Sequence, residues 1–437
     1  MNDNLNQFGV TFSKLKLASN IPTYLFQRAG MPICMRAVFF AGSRFDEIPG
    51  TAHFLEHILV SGSKKFPTKN QLTAFVEEMG GFIGASTDNY SLRLEVIIPK
   101  KDDFKIGLEA LEEALFNSLF DPATIELERK VILTEIAKRR NNPQTRLFDM
   151  YQQLFFQDTK LAQPVIGDES SILKITRKDL LDFKNKFVVP ERMCLILSGD
   201  INSNEAESYL NEYFLNKNLN IVESEIETPP LLPFIQNTKT LIEKLNNEKQ
   251  GHITLGFRTC PFHDKDTAIL EVITSILGGG KSSRLINELR YKNGLVYNVS
   301  AMNSHLPDVG TFTVSTSCSE SSVEKVIKII VDEFEKIKTK SLGLDELKSV
   351  KSRLIKSQFI KMQTSQSWVQ LHEKELLFNG NHPKLITDYL KEIDSVNITD
   401  IEEVAKKYFD RDKIFTVLYG TGSVEQVDNT KTSLNKF

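Results

Sequence analysis

Thr51-Ala52-His53-Phe54-Leu55-Glu56-His57-Ile58-Leu59-Val60 places three ionisable side chains, His53, Glu56 and His57, in an otherwise almost wholly apolar run. Pro49-Gly50 breaks the chain just before it and Thr51 suits an N-cap, so a short buried helix is expected here. At about 100° per residue, His53 and His57 point the same way and Glu56 lies roughly 60° to one side. Three ionisable groups on one face of a buried helix are costly unless something pairs with them. A divalent metal would do so. Two neutral imidazoles at i and i+4 can ligate one zinc, and the adjacent carboxylate can take a proton from water held there. Two histidines that merely sit four apart are the alternative that the bare five-residue pattern leaves open.

Working outward, residues 8–48 read as strands, and Ile33 to Phe40 is a buried β run that delivers the chain to the helix. Thr68 to Met79 reads as an amphipathic helix ended by Gly80-Gly81. Phe82 to Pro99 alternates as strands with a turn near Asp88-Asn89, and 103–118 is helical. Asp121-Pro122 starts a strong helix that carries Glu128 and Glu135, two turns apart and within about 20° of one direction. Glu135 is the best candidate for a third metal ligand, because a catalytic zinc commonly keeps three protein ligands and leaves a fourth position for water. From spacing alone, both glutamates suit a solvated helix surface equally well. Helices at 145–157, 177–187 and 202–215 and a strand at 193–198 complete the first half.

The Pro-rich stretch around 222–234 reads as a linker, taken as 218–235 between an N-terminal half, 1–217, and a C-terminal half, 236–437. The second half repeats the element order of the first: a strand at 252–258, helices at 264–277 and 282–290, strands at 295–303 and 311–317, then helices from 321 to 408 and a strand at 413–419. Two halves alike in length and order point to a duplication. The last 17 residues are polar and read as frayed.

Length (437 residues), 41% hydrophobic and 25% charged content are those of an ordinary protein with large cores. A net charge of −3 gives no footprint for nucleic acid, and no apolar run approaches the roughly 18 residues of a membrane span. The N-terminus lacks the basic start and apolar core of a signal peptide. Cys34, Cys194, Cys260 and Cys318 are isolated and form no CxxC pair. A cytoplasmic protein is the expectation. Gly278-Gly279-Gly280-Lys281-Ser282 fails the phosphate-loop pattern, since its earlier glycine is Ser275 here.

Several of these segments resemble the pitrilysin and insulinase-type zinc peptidases, inverzincins in which His-x-x-Glu-His reverses the commoner His-Glu-x-x-His. In size the chain is similar to the short bacterial and mitochondrial-processing-type branch. The matching residues are Gly50-Thr-Ala-His53-Phe-Leu-Glu56-His57 and Glu128 to Glu135, then Asn142-Pro143, Pro164 to Gly167, Pro190 to Met193 and Ser198 to Asp200. In the second half they are Leu277 to Leu285 and Leu289-Arg290 to Tyr297. The resemblance implies that His53, His57 and Glu135 bind Zn2+, that Glu56 is the general base, and that Glu128 orients the site. It implies that Arg290 anchors substrate backbone and Tyr297 stabilises the oxyanion; read without it, Tyr297 is a strand aromatic packed on the core. It also makes Gly84-Ala85-Ser86-Thr87 a substrate-pairing edge. The chain departs from the family at Gly84, where many members carry Asn.

The implied fold is α+β: two homologous halves, each of two sheet-and-helix modules, of the LuxS- and processing-peptidase-like kind, closing as a clamshell on dimerisation. The implied activity is zinc-dependent endopeptidase action on peptides or unfolded segments, the alternative being a non-catalytic peptide-binding or structural partner subunit. The implied partner is a second copy of the chain or a related subunit. In long family members the first module faces the last, so the second half of a partner would close over this chain's zinc.

Overall fold

The computed structural model describes residues 5–215, 239–244, 250–339, 342–380 and 382–420. The expected linker and the polar tail lie outside them. In chain order the first elements are β1 (Thr11–Leu15), β2 (Thr23–Gln27), β3 (Ile33–Phe39), α1 (Thr51–Leu59), α2 (Lys69–Glu77), β4 (Phe82–Thr87), β5 (Leu92–Ile98), α3 (Phe104–Phe116), α4 (Pro122–Arg140), α5 (Pro143–Phe155), the single turn α6 (Glu169–Ile172), α7 (Arg177–Phe187), β6 (Met193–Gly199) and α8 (Ser203–Leu215). There follow β7 (Lys239–Lys244), β8 (Gln250–Thr259), α9 (Thr267–Gly278), β9 (Val296–His305), β10 (Gly310–Ser319), α10 (Val323–Thr339), α11 (Leu344–Lys361), α12 (Ser365–Asn379), α13 (Ile386–Ser395), α14 (Ile398–Tyr408) and β11 (Phe415–Gly420). The helix expected at 282–290 is instead a π-helical stretch, Ile286–Lys292.

The strands join into one six-stranded sheet, β1-β2-β6-β3-β5-β4, and one five-stranded sheet, β7-β11-β8-β10-β9. The strands expected of the two modules of each half therefore share a sheet. β2 runs parallel to β6 and β7 to β11, while the other pairings are antiparallel. Leaving out β1, the two sheets have the same order with the parallel step in the same place, which establishes the two halves as homologous. The fold is α+β.

The compact units are not the contiguous stretches 1–217 and 236–437. Lys138–Ala162, which contains α5, packs into the second unit, and Gln358–Asp388, which contains α12, packs into the first. The third helix after each sheet's last hairpin thus covers the other half's sheet, α5 on β8 and β11, α12 on β3 and β6. The reason lies in what these helices carry. Phe155 on α5 packs with its ring 4.2 Å from that of Phe415 of β11, tilted by 32°, and its carbonyl accepts from the buried Arg258 guanidinium at 3.1 Å. On α12, Glu373 accepts from Arg36 Nη1 at 2.5 Å and pairs with Arg93 Nε at 2.8 Å. Glu95 takes Arg36 Nε at 2.8 Å and the Gln366 amide at 2.8 Å. Two arginines projecting from one sheet face need carboxylates to be buried there, since a lone buried charge costs several kcal/mol.

His372 of α12 is buried between Trp368 and Phe26. Its Nδ1 lies 2.8 Å from the Trp368 carbonyl, and its Nε2 accepts from the Ile386 N–H at 3.1 Å. Burial lowers its pKa to about 4, with the Trp368 carbonyl opposing. A depressed histidine contributes stability that is complete above its unfolded value near 6.5 and is lost as pH falls towards 4. Between pH 7.5 and pH 5.0 this one group should cost about 2 kcal/mol. Urea unfolding at the two pH values checks this: His372→Gln should flatten the pH dependence by up to one proton, and an unchanged slope would refute the assignment.

Candidate metal centre

Helix α1 starts differently from the expectation. Thr51 is its first helical residue and not its cap; the cap is Gly50, at φ 92°. A Cβ there would lie 2.7 Å from the Ile166 carbonyl oxygen, so both conformation and space demand glycine. The capping acceptor is Asp46, whose carboxylate takes the Gly50 N–H at 2.8 Å and the Ala52 N–H at 2.9 Å. Ala52, Phe54, Leu55, Ile58 and Leu59 enter the core, which aims the remaining face of α1 outward.

That face carries His53, Glu56 and His57, which offer one ligand atom each within 4.8 Å of one another. Helix α4 supplies the rest. Asp121 accepts from Thr124 N at 2.9 Å at its start. Ile125, Glu128, Ile132 and Ile136 form its buried stripe, so the solvated reading of Glu128 is overturned by packing. Glu135 Oε2 lies 3.9 Å from His53 Nε2 and 3.8 Å from His57 Nε2. One metal ion with ligand bonds of about 2.0–2.2 Å can bridge such separations.

Glu128 fixes the orientation of His57. Its Oε2 lies 2.8 Å from His57 Nδ1. With the Nδ1 proton committed to this carboxylate, Nε2 is the free ring acceptor and faces Glu135. Burial pushes the Glu128 carboxyl up, but the hydrogen bonds from His57 and Ser61 and the charge of Lys69 outweigh it and hold it at about 2. Glu56 moves the other way: burial raises its pKa, with Thr87 and His57 opposing and Glu135 adding to the rise. Two imidazole nitrogens with a partly exposed carboxylate form a donor set that suits Zn2+.

Ser61 and Lys69 were not anticipated as parts of the site. The Ser61 hydroxyl reaches Glu128 Oε1 at 3.0 Å, and Lys69 Nζ lies 3.4 Å from the same atom. Ser61 follows His57 by four residues and could have been found by helical spacing. Lys69, at the start of α2, is delivered by the tertiary fold alone.

The edge residues Gly84, Ala85, Ser86 and Thr87 lie in β4, the outermost strand of its sheet, which among the described residues pairs only with β5 and packs against α1. Thr87 is the member close enough to Glu56 to affect its carboxyl. In the second unit, Arg290 and Tyr297 lie together, the guanidinium 4.7 Å from the ring centroid. Tyr297 is 82% exposed on β9, which rules out a packed core aromatic. The equivalent of α1 there, α9, is apolar but for threonine, serine and Glu271, and it has no histidine to ligate a metal. The glycine run is explained by packing: a Cβ at Gly278 would lie 2.3 Å from Ala301 N, and at Gly279 2.6 Å from Ser275 Cα.

Comparison with known proteins agrees with this division. The profile described as Insulinase (Peptidase family M16) matches residues 32–169. That described as Peptidase M16 inactive domain matches residues 174–354. An uncharacterized zinc protease of Mycobacterium leprae is 26% identical over 83% of this chain and 81% of its own length. The mitochondrial-processing peptidase subunit beta of Dictyostelium discoideum is 23% identical over 82% and 78%. A protease from Helicobacter pylori has the same fold, with a TM-score of 0.87 at 23% identity over 94% of this chain and 99% of that one. With the metal-site helix in the first matched segment and its histidine-free counterpart in the second, the chain belongs to peptidase family M16, the pitrilysin and insulinase-type metallopeptidases.

Proposed function

We propose that this chain is a zinc-dependent endopeptidase acting on peptides or unfolded polypeptide segments. The observation that carries the reading is the juxtaposition of α1, with two histidines and Glu56 on its outward face, and the open strand edge of β4. Such an edge pairs with an extended peptide through main-chain hydrogen bonds, and here it would hold that peptide against the metal-binding face. Bound zinc supplies Lewis-acid polarisation and lowers the pKa of water. His53, His57 and Glu135 would hold it. Glu128 keeps the Nδ1 proton of His57, which leaves Nε2 as the ring acceptor for a metal. Glu56 accepts a proton from the attacking water and passes it to the leaving amine, a role that its raised pKa suits. Relatives named zinc proteases support the same reading.

The test is metal content and peptide turnover of the purified protein, with Glu135→Gln beside it. Wild type should hold one zinc per chain and cut unstructured peptides. Glu135→Gln replaces an anionic ligand with an amide, so zinc affinity should fall by more than the roughly 10–100-fold that loss of an outer hydrogen-bond partner costs. Metal content equal to wild type after dialysis would remove Glu135 from the ligand set. Zinc without turnover would make the chain a peptide-capturing or structural subunit.

We also propose that the working unit is a dimer, with a copy of itself or with a related subunit. The exposed Arg290–Tyr297 pair supports this, being a polar-tipped aromatic offered outward. Among the described residues, no helix is long and apolar enough to cross a membrane.

A further inference from the structure

The β4 edge has a side-chain preference built into it. Ile83 and Ala85 pack against the core beneath α1, so Phe82, Gly84 and Ser86 point to the other face of the strand. Phe82 is 52% exposed, yet its ring is not extended into solvent. It lies along the strand over Gly84: a Cβ at position 84 would be 2.7 Å from Phe82 Cζ and 3.0 Å from Cε1. The ring therefore occupies the space that a side chain at 84 would fill. The absence of a side chain at 84 is what lets an aromatic surface cover this part of the edge. Opposite Gly84 on β5 stands Glu95, which is already engaged by Arg36 and Gln366. Phe82 is thus the apolar group at this point that is left half-open.

We propose that Phe82, lying over Gly84, is a specificity-determining subsite that selects a large apolar side chain, aromatic above all, from an extended peptide paired to β4. The inference rests on the reading of β4 as the peptide-binding edge. A residue of an added strand directly opposite position 84 has its Cβ about 5 Å from that position, and diagonal neighbours remain within reach of an aromatic ring. Aromatic pairs across strands are among the favourable cross-strand contacts. Gly84 is three residues from Thr87, the residue beside Glu56, and so about 10 Å along the edge.

The experiment measures binding, which separates it from chemistry. Zinc-loaded full-length protein carrying Glu56→Gln is titrated into fluorescein-labelled unstructured ten-residue peptides, in which one phenylalanine is moved through an otherwise alanine-rich sequence. Fluorescence anisotropy reports Kd. Phenylalanine at one position should tighten binding about tenfold over alanine there, as expected for partial burial of an aromatic ring. Added to the same protein, Phe82→Ala should bring that ratio to about one, and Phe82→Tyr should keep it. Gly84→Asn should also collapse it, because its Cβ displaces a half-exposed ring that is free to swing away. A ratio that persists in Phe82→Ala, or binding with no positional preference in the starting protein, would overturn the subsite while leaving the peptide edge standing. Failure of every peptide to bind would overturn the edge itself and the subsite with it.

Discussion

Glu56→Gln is expected to keep its zinc and its fold and to lose peptide hydrolysis by about 10²–10⁴-fold, the usual contribution of a positioned general base. The amide has nearly the shape of the carboxylate but cannot accept the proton. The hydrogen bond that orients His57 runs to Glu128 at 2.8 Å and does not involve Glu56, and Glu135 stands 3.8–3.9 Å from the two imidazoles on a separate helix. The substitution should therefore act on turnover, with little effect on metal content. Glu56 is also a half-buried carboxyl whose pKa is raised, so a neutral amide at that position should not destabilise the helix. Metal analysis, thermal unfolding and turnover of one peptide, measured together, test the claim. Near-normal turnover with zinc bound would remove Glu56 from the mechanism.

The second large effect is a gain. His57→Ala and Tyr297→Phe, each nearly inactive alone, should restore activity to one another when mixed under conditions that exchange subunits. The metal-binding residues belong to the first unit, and Tyr297, 82% exposed, belongs to the second. If each site takes its tyrosine from the partner, a mixed dimer has one intact site. Its zinc is on the Tyr297→Phe chain and its tyrosine on the His57→Ala chain. Random exchange of equal amounts puts about half the dimers in the mixed form, so recovery should approach roughly a quarter of wild-type activity. Absence of recovery, with exchange proven by differently tagged chains, would mean that the site is completed within one chain or that Tyr297 has no catalytic part.

The pattern His53-x-x-Glu56-His57 was legible because helical geometry is local. Four residues are about one turn, so the common face of the histidines follows from numbering alone. The same holds for the 20° between Glu128 and Glu135, for the helix that starts at Thr68, and for strands such as β3, whose burial on both faces shows as an apolar run broken only by Arg36. The repeated order of elements likewise disclosed the duplication. Resemblance added Glu135, Arg290 and Tyr297, which residue patterns alone could not separate from ordinary surface and core positions.

Only tertiary structure decided the rest, because the remaining facts depend on groups far apart in the chain. Glu128 and Glu135 share a face of α4, yet packing buries one to a side-chain exposure of 5% and leaves the other at 41%. That difference separates a group orienting His57 from one reaching both Nε2 atoms. Lys69 joins the site only because α2 folds back towards α4. The exchange of α5 and α12 has no local signature, since each helix's choice of sheet is set by distant partners. Arg36 and Arg93 accept α12 because Glu373 satisfies both. At Gly84 the sequence showed a missing side chain. The structure showed what fills its place, the ring of Phe82, because a side chain can lean along a strand into space that its neighbour leaves empty.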